Sequence, residues 1–170
     1  TLHTVEAGQS VQLGAFQVEL FHVCHSIPDA VGLGITTPAG LVIHMSDFKF
    51  DHTPVDGWPT DYAKLAELSQ RGVDLLLSDS TNSERPGWTP SEMVIGPALD
   101  EVFATAPGRI IVASFASLIS RMQQVADAAV RHKRKLAFVG MSMVDNAKIA
   151  RELGYLEVPD NTLVSIDQAL

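Results

Sequence analysis

Apolar and polar residues alternate along the first half of the chain with the period of short β-strands. FQVELFHV (16–23) places an apolar residue at every second position from Phe16 to Leu20, as in a half-buried strand. AVGLGITT and GLVIHMS follow, joined by the turn residues Pro-Ala-Gly at 38–40. We therefore predict a strand over 16–23 and then a β-hairpin.

The pattern then changes to a helix followed by a strand. DYAKLAELSQR has the spacing of a short helix, with Thr60 as the expected N-cap and Gly72 as the stop. VDLLLSD (73–79) is a continuous apolar run, which is typical of a strand buried on both faces.

The second half alternates strand and helix patterns. RIIVAS (109–114), a helical stretch over 116–132 and KLAFVG (135–140) predict a βαβ unit with a parallel sheet. Another helix is expected over about 144–153. The fold class is therefore α/β, and the joint between the two parts lies in DSTNSERPGW (79–88), which is dense in turn formers.

Composition excludes some classes of protein. A hydrophobic fraction of 46% suits a packed core, and the net charge of −8 argues against non-specific coating of nucleic acid. A local channel charged by metal ions and a few arginines stays possible. One cysteine, no signal-like N-terminus and no apolar run of about 20 residues lead us to expect a cytoplasmic protein. Because the chain starts at Thr1, it is either processed or part of something longer.

His25 and Asp47 are the residues most suggestive of chemistry. Each follows an apolar run and precedes an unusual loop, HSIPD or DFKFD. Imidazole nitrogen and carboxylate oxygen are the ligands of a hydrolytic divalent-metal site. Taken alone, His25 is more often a structural residue of a strand end, and Asp47 a cap.

Four motifs in order resemble the middle of ribonuclease J, from the β-CASP branch of the metallo-β-lactamase superfamily. They are HSIPDAVGLGI, SDFKFDHTPVDG, LLLSDSTNSERPG, and RIIVASFAS followed by RMQQV. The resemblance runs from about Gly8 to the end of the chain. It implies that 1–84 is the C-terminal part of a metallo-β-lactamase αββα sandwich. It also implies that 85–170 is the first part of a Rossmann-like β-CASP domain, both parts being incomplete.

The resemblance also implies residue roles. His25 is implied as a metal ligand and Asp47 as a carboxylate bridging two divalent ions, with zinc as first choice and manganese or magnesium as alternatives. Asp79 is implied to orient a neighbouring catalytic histidine, although a turn cap within DSTN is nearly as good an interpretation.

A second group of candidates lies on the predicted strand-to-helix turn VASFASLISR. Ser114, Ser117 and Arg121 could receive an RNA phosphate there. Ordinary helix capping is the alternative interpretation, and we rate it somewhat ahead.

The implied activity is metal-dependent hydrolysis of single-stranded RNA, as a 5′-to-3′ exonuclease, an endonuclease or both, in RNA processing and decay by a homo-oligomer. That chemistry needs an HxHxDH cluster, which is absent from these 170 residues. We therefore expect the cluster outside this segment and no RNA cleavage by this chain alone. One alternative is a non-catalytic α/β module for interaction or RNA positioning. Another is a small-molecule metallohydrolase, which the βαβ segment after Asp79 disfavours.

The chain departs from the family pattern at three places. Ser46 stands where a glycine usually precedes the aspartate, SLIS (117–120) lacks a usual histidine before Arg121, and Met141 stands where arginine is usual. The last two changes lie near the expected RNA path, so they predict altered RNA affinity or specificity.

Overall fold

A computed structural model describes residues 2–169 and places a five-stranded sheet in the first half of the chain. The strands lie side by side in chain order, the first four antiparallel and the fifth parallel to the fourth. They are β1 (Ser10–Leu13), β2 (Phe16–His22), β3 (Val31–Thr37), β4 (Gly40–His44) and β5 (Leu75–Leu77). The predicted strand over 16–23 is confirmed as β2, whereas the four-residue strand β1, SVQL, was not predicted.

The chain divides into two compact units. The first contains the residues up to His25 and 29–91, and the second contains 26–28 and the residues from Glu92 onward. Among residues 2–169, the first unit has one apolar core and the second has two.

The predicted hairpin is confirmed as β3 and β4. Thr37 pairs with Gly40, so Pro38 and Ala39 form a two-residue connection. The turn is fixed further by the Thr37 hydroxyl, which donates 2.9 Å to the Gly40 carbonyl oxygen.

The first helix, α1 (Tyr62–Gln70), lies where it was predicted, but its N-cap differs. Asp61 caps it by accepting a 2.9 Å hydrogen bond from the Lys64 amide. The expected cap, Thr60, is buried, and its hydroxyl accepts from the Cys24 amide at 3.0 Å. The hydroxyl therefore ties the helix start to the end of β2. Gly72 ends the helix as predicted, with a φ of 80° that favours glycine.

The sheet packs against α1 through a small apolar core. Its buried members are Phe21, Val23, Leu41, Ile43, Met45 and Leu68. Close packing depends on Gly32, since a Cβ atom there would lie 2.3 Å from the Phe21 ring.

The prediction that β5 is buried on both faces is wrong. Leu75, Leu76 and Leu77 are 49%, 57% and 44% exposed. The physical reason is that β5 is an edge strand, paired on one side only with β4 among residues 2–169.

The second unit is mainly helical over the part of the chain that is described. A 3₁₀ turn (Glu92–Val94) leads into α2 (Ile95–Thr105), and then follow α3 (Ile119–Arg131), α4 (Met141–Glu152) and α5 (Ile166–Ala169). The helices predicted over 116–132 and 144–153 are confirmed as α3 and α4 with shifted ends. Ile119, Met122 and Ala126 of α3 form a buried core with Ala147 and Ala150 of α4.

The two strands of the predicted βαβ unit do not pair with each other in the described residues. Over 109–114 no strand is present, and 135–140 contributes one parallel bridge, Leu136 to Leu163. Ile110 packs against the core around Phe103, whereas Ile111 is 88% exposed, and no strand in residues 2–169 pairs with this segment. The α/β class itself is confirmed. None of the described helices is long and apolar enough to cross a bilayer.

Candidate functional site

One histidine and two aspartates lie on loops at the same edge of the sheet, because the strands that precede them run in the same direction. β2 and β4 both run antiparallel to β3, so they run the same way, and β5 is parallel to β4. His25 follows β2, Asp47 follows β4 and Asp79 follows β5. The C-terminal ends of these three strands therefore share one edge, and the three residues lie on the loops that leave it.

His25 and Asp47 come together at this edge. The Nε2 atom of His25 lies 4.0 Å from Oδ2 of Asp47, and the side chains are 31% and 79% exposed. One nitrogen and one oxygen donor 4.0 Å apart at the surface suit a divalent cation of the zinc or manganese type. No group of three or more His, Cys, Asp and Glu side chains among residues 2–169 is arranged to hold a metal ion. Since a zinc site takes at least three protein ligands, the described residues contribute two donors rather than a complete site.

The backbone fixes the distance between these two donors. The Lys49 amide donates a 2.7 Å hydrogen bond to the carbonyl oxygen of Cys24. Lys49 lies two residues after Asp47, and Cys24 directly precedes His25. This bond was not predicted, because a backbone hydrogen bond leaves no trace in the order of side chains.

Ser46 holds Asp47 on the sheet. Its φ of 56° is left-handed, a conformation that a residue with a side chain rarely adopts. The Ser46 hydroxyl donates 2.7 Å to the carbonyl oxygen of Val31, and its amide donates 3.1 Å to Nδ1 of His44. These bonds offset the strain of the left-handed backbone at Ser46.

Asp79 is engaged in a local turn beside the same edge. Its Oδ1 accepts from the Thr81 amide at 2.8 Å and from the Thr81 hydroxyl at 2.6 Å. These bonds lower the pKa of Asp79 below its ordinary value against a small effect of burial, and nearby His25 and the Phe48 backbone add to the lowering. The turn-cap interpretation is thus realised, and the carboxylate also lies within the electrostatic reach of His25.

The other sequence candidates lie in the second unit, before and within α3. Arg121 donates 2.7 Å from Nη2 to the Glu92 carboxylate. The Ser114 hydroxyl and Nε of Arg121 are buried with no hydrogen-bond partner, whereas Ser117 is exposed. The N-cap residue of α3 is Leu118, with no side-chain capping bond, so helix capping does not account for either serine.

Known proteins resemble this chain along nearly its whole length. Residues 107–170 match the family model described as ribonuclease J, beta-CASP domain. The chain is 50% identical over 165 residues to Ribonuclease J of Mycobacterium tuberculosis, covering 97% of the chain and 30% of that protein. It is 46% identical over 164 residues to Ribonuclease J of Helicobacter pylori, covering 96% of the chain and 24% of that protein. The chain therefore spans less than a third of the length of these relatives.

A solved structure shares the fold at much lower identity. It is a protein of unknown function from Enterococcus faecalis, with a TM-score of 0.68 and 16% sequence identity. The likeness covers 99% of this chain and 42% of the other. At this identity, the likeness concerns the fold alone.

Proposed function

We propose that this chain is a ribonuclease J-like segment of the β-CASP branch of the metallo-β-lactamase superfamily. On that premise, it forms the middle of a metal-dependent ribonuclease. The substrate is single-stranded RNA, cleaved from the 5′ end, internally or in both ways during RNA processing and decay. The relatives' shared name supports a ribonuclease. The complete protein acts in the cytoplasm as a homo-oligomer.

The observation that carries the proposal is the pair formed by His25 and Asp47, 4.0 Å apart at the shared strand edge. The Nε2 atom of His25 would hold one divalent ion, and the exposed Asp47 carboxylate would be the ligand shared by two. When bound, the ions, zinc first with manganese or magnesium as alternatives, supply Lewis-acid activation of water for phosphodiester hydrolysis. The part of this chain is to hold the two donors in place, through the Lys49–Cys24 backbone bond and the Ser46–Val31 bond.

Asp79 contributes a fixed negative charge beside the pair. Because hydrogen bonds from Thr81 lower its pKa, the carboxylate stays ionised at neutral pH. An ionised carboxylate in reach of an imidazole orients the ring and favours one tautomer. We assign this positioning role to Asp79 toward a neighbouring histidine.

Ser114, Ser117 and Arg121 form the proposed phosphate contact. The buried, unpartnered Ser114 hydroxyl and Arg121 Nε supply two unused polar atoms, and such atoms lower the free energy of a complex when a ligand satisfies them. Glu92 holds the Arg121 guanidinium in a fixed position and also neutralises part of its charge. Phosphate binding here is therefore expected to be weaker than at an unpaired arginine.

The test compares this chain with a longer version that contains the segment and the HxHxDH cluster. The longer protein should degrade 5′-monophosphorylated single-stranded RNA, Asp47→Ala should abolish this, and the exposed His3→Ala variant should not change it. The 170-residue chain alone should leave the RNA intact. Hydrolysis of a lactam or thioester with the RNA untouched would instead favour a small-molecule hydrolase.

A non-catalytic module that positions RNA is the second candidate function. It is favoured by the finding that no group of three or more His, Cys, Asp and Glu side chains in residues 2–169 is placed to hold a metal ion. This candidate wins if the longer protein binds single-stranded RNA in divalent metal and cleaves neither RNA nor a small ester.

A further inference from the structure

Aromatic rings form a row that starts beside Asp47. The rings of Phe48 and Phe50 lie 4.9 Å apart, and those of Phe50 and Tyr62 lie 5.6 Å apart. The row continues from Tyr62 to His52 at 5.4 Å and from His52 to Trp88 at 6.0 Å, the last pair nearly parallel at 16°. We call these five residues the aromatic row, and all of them belong to the first unit.

The aromatic row is open to solvent at its far end. Phe48 is partly buried against the sheet core, Phe50 and Tyr62 are exposed to about two fifths, and Trp88 is 72% exposed. A contiguous patch of exposed aromatic side chains indicates a binding surface, whereas single exposed apolar residues are common and need no explanation. Trp88, at the end of the row away from Asp47, is thus more exposed than Phe48, Phe50 and Tyr62.

Local hydrogen bonds hold the loops that carry these rings. The buried Asp51 carboxylate accepts from the Thr53 amide at 3.0 Å and lies 3.4 Å from Nζ of Lys49. The Ser91 hydroxyl donates 2.7 Å to the Thr53 carbonyl oxygen, which ties the Trp88 segment to the His52 loop. The aromatic row is thus preorganised, so little conformational entropy is lost when a flat ligand binds.

We infer that the aromatic row stacks unpaired nucleobases of single-stranded RNA and guides the strand toward Asp47. The inference rests on the proposed function, since it names how the substrate of that site is held. Every base has a π-face, so stacking on aromatic side chains binds single strands with little sequence preference.

The charges around the row favour bases over phosphates as the contacted groups. The carboxylates of Asp51, Asp56 and Asp61 lie in the same loop, and each accepts a hydrogen bond from a nearby backbone amide. Negative groups repel phosphates, and the one cation in the loop, Lys49, is paired with Asp51. Binding should therefore depend weakly on salt, unlike binding through phosphates.

The test measures equilibrium binding of a fluorescent oligoadenylate to the 170-residue chain in EDTA, where no hydrolysis takes place. Trp88→Ala should weaken binding roughly 5- to 150-fold, the effect of one lost base stack, and Trp88→Phe should keep most of it. Trp58→Ala is the matched control, since Trp58 stacks on His22, 3.8 Å away, outside the row. An abasic oligomer of equal length retains every phosphate and should not bind measurably.

A second readout reports on Trp88 directly. In a Trp58→Phe background Trp88 is the sole tryptophan, and oligoadenylate, but not the abasic oligomer, should quench its fluorescence. Equal binding of the abasic oligomer, equal losses for Trp88→Ala and Trp58→Ala, or no binding by the parent chain would each overturn the inference. Absence of hydrolysis by the longer protein would contradict the proposed function while leaving this binding result in place.

Discussion

The Nε2 atom of His25 lies 4.0 Å from Oδ2 of Asp47, although the two residues follow different strands of the sheet. Their meeting depends on β3, which runs antiparallel to both neighbours and so makes β2 and β4 point the same way. An imidazole and a carboxylate are thereby placed together, with no helix between them in the chain.

This pair predicts weak binding of zinc by the isolated chain. His25→Ala should reduce the affinity at least about tenfold, because even the loss of an outer-shell partner has an effect of that size. Competition with a chromophoric chelator measures the change, and His3→Ala is the control, since His3 is exposed and far from Asp47 in sequence. Tight stoichiometric uptake that survives His25→Ala would contradict the assignment.

Ser46 predicts an unusual order of stabilities. Ser46→Ala removes the hydroxyl bond to Val31 and keeps the left-handed φ of 56°, so it should lower the free energy of unfolding by about 1–2 kcal/mol. Ser46→Gly loses the same bond but relieves the strain, so its loss should be smaller. Urea unfolding distinguishes the two, and an alanine variant as stable as the glycine variant would mean that the strain is not relieved as argued.

An ion-pair cluster predicts loss of stability in acid. Burial alone would raise the pKa of Glu19, but hydrogen bonds from Lys64 and Arg71 outweigh it and hold the pKa below the ordinary 4.5. Lys64 lies 2.7 Å and Arg71 2.5 Å from its carboxylate oxygens, which joins α1 to β2. The contribution is complete above the ordinary pKa and is lost as the pH falls through the lowered one.

Thermal unfolding measured from pH 7 down to pH 3 tests this cluster. Glu19→Gln should destabilise the protein by about 3 kcal/mol at pH 7, because two cations lose their buried partner. It should also flatten the acid-induced loss. Glu67→Gln removes an exposed partner of Lys64 and should change stability by only about 0.5 kcal/mol. Similar values for the two variants would contradict a special role for Glu19.

Packing at Gly32 predicts a large effect of one methyl group. Gly32→Ala places Cβ against the Phe21 ring, which is fully buried, and should destabilise the protein by about 2–3 kcal/mol. Gly108→Ala is the control, since a Cβ there meets nothing within 4 Å, and it should change stability by less than about 0.5 kcal/mol. Equilibrium denaturation measures both variants.

Much of the strand-rich part could be predicted from sequence because its signals are local. Period-two alternation located β2, the Pro38-Ala39 turn located the hairpin, and Gly72 located the end of α1. The cap was misplaced because Thr60 and Asp61 are both good capping residues. Only the contact with Cys24, distant in sequence, decides that Thr60 is used elsewhere.

Predictions that depended on distant partners were less successful. The apolar pattern of 109–114 is strand-like, but a strand forms only with a neighbour, and Ile111 is left 88% exposed. The continuous apolar run of β5 likewise predicted burial, but burial also depends on neighbours, and Leu75, Leu76 and Leu77 are exposed. At the site, strand direction explains how His25, Asp47 and Asp79 share an edge, yet their metal and positioning roles rest on the resemblance and stay predictions.

The parallel pairing of β5 with β4 predicts the order in which the strands of the sheet form and open. Strands β1 to β4 pair with their neighbours in the chain, whereas Asp74 reaches Leu41 only after the whole α1 crossover has closed. Closing the longer loop costs more chain entropy, so β5 should dock last during folding and detach first in local opening events. Asp79 would leave with it, and Asp47 would then be the carboxylate that stays beside His25. Amide hydrogens of Leu75–Leu77 should accordingly exchange with solvent faster than those of β3.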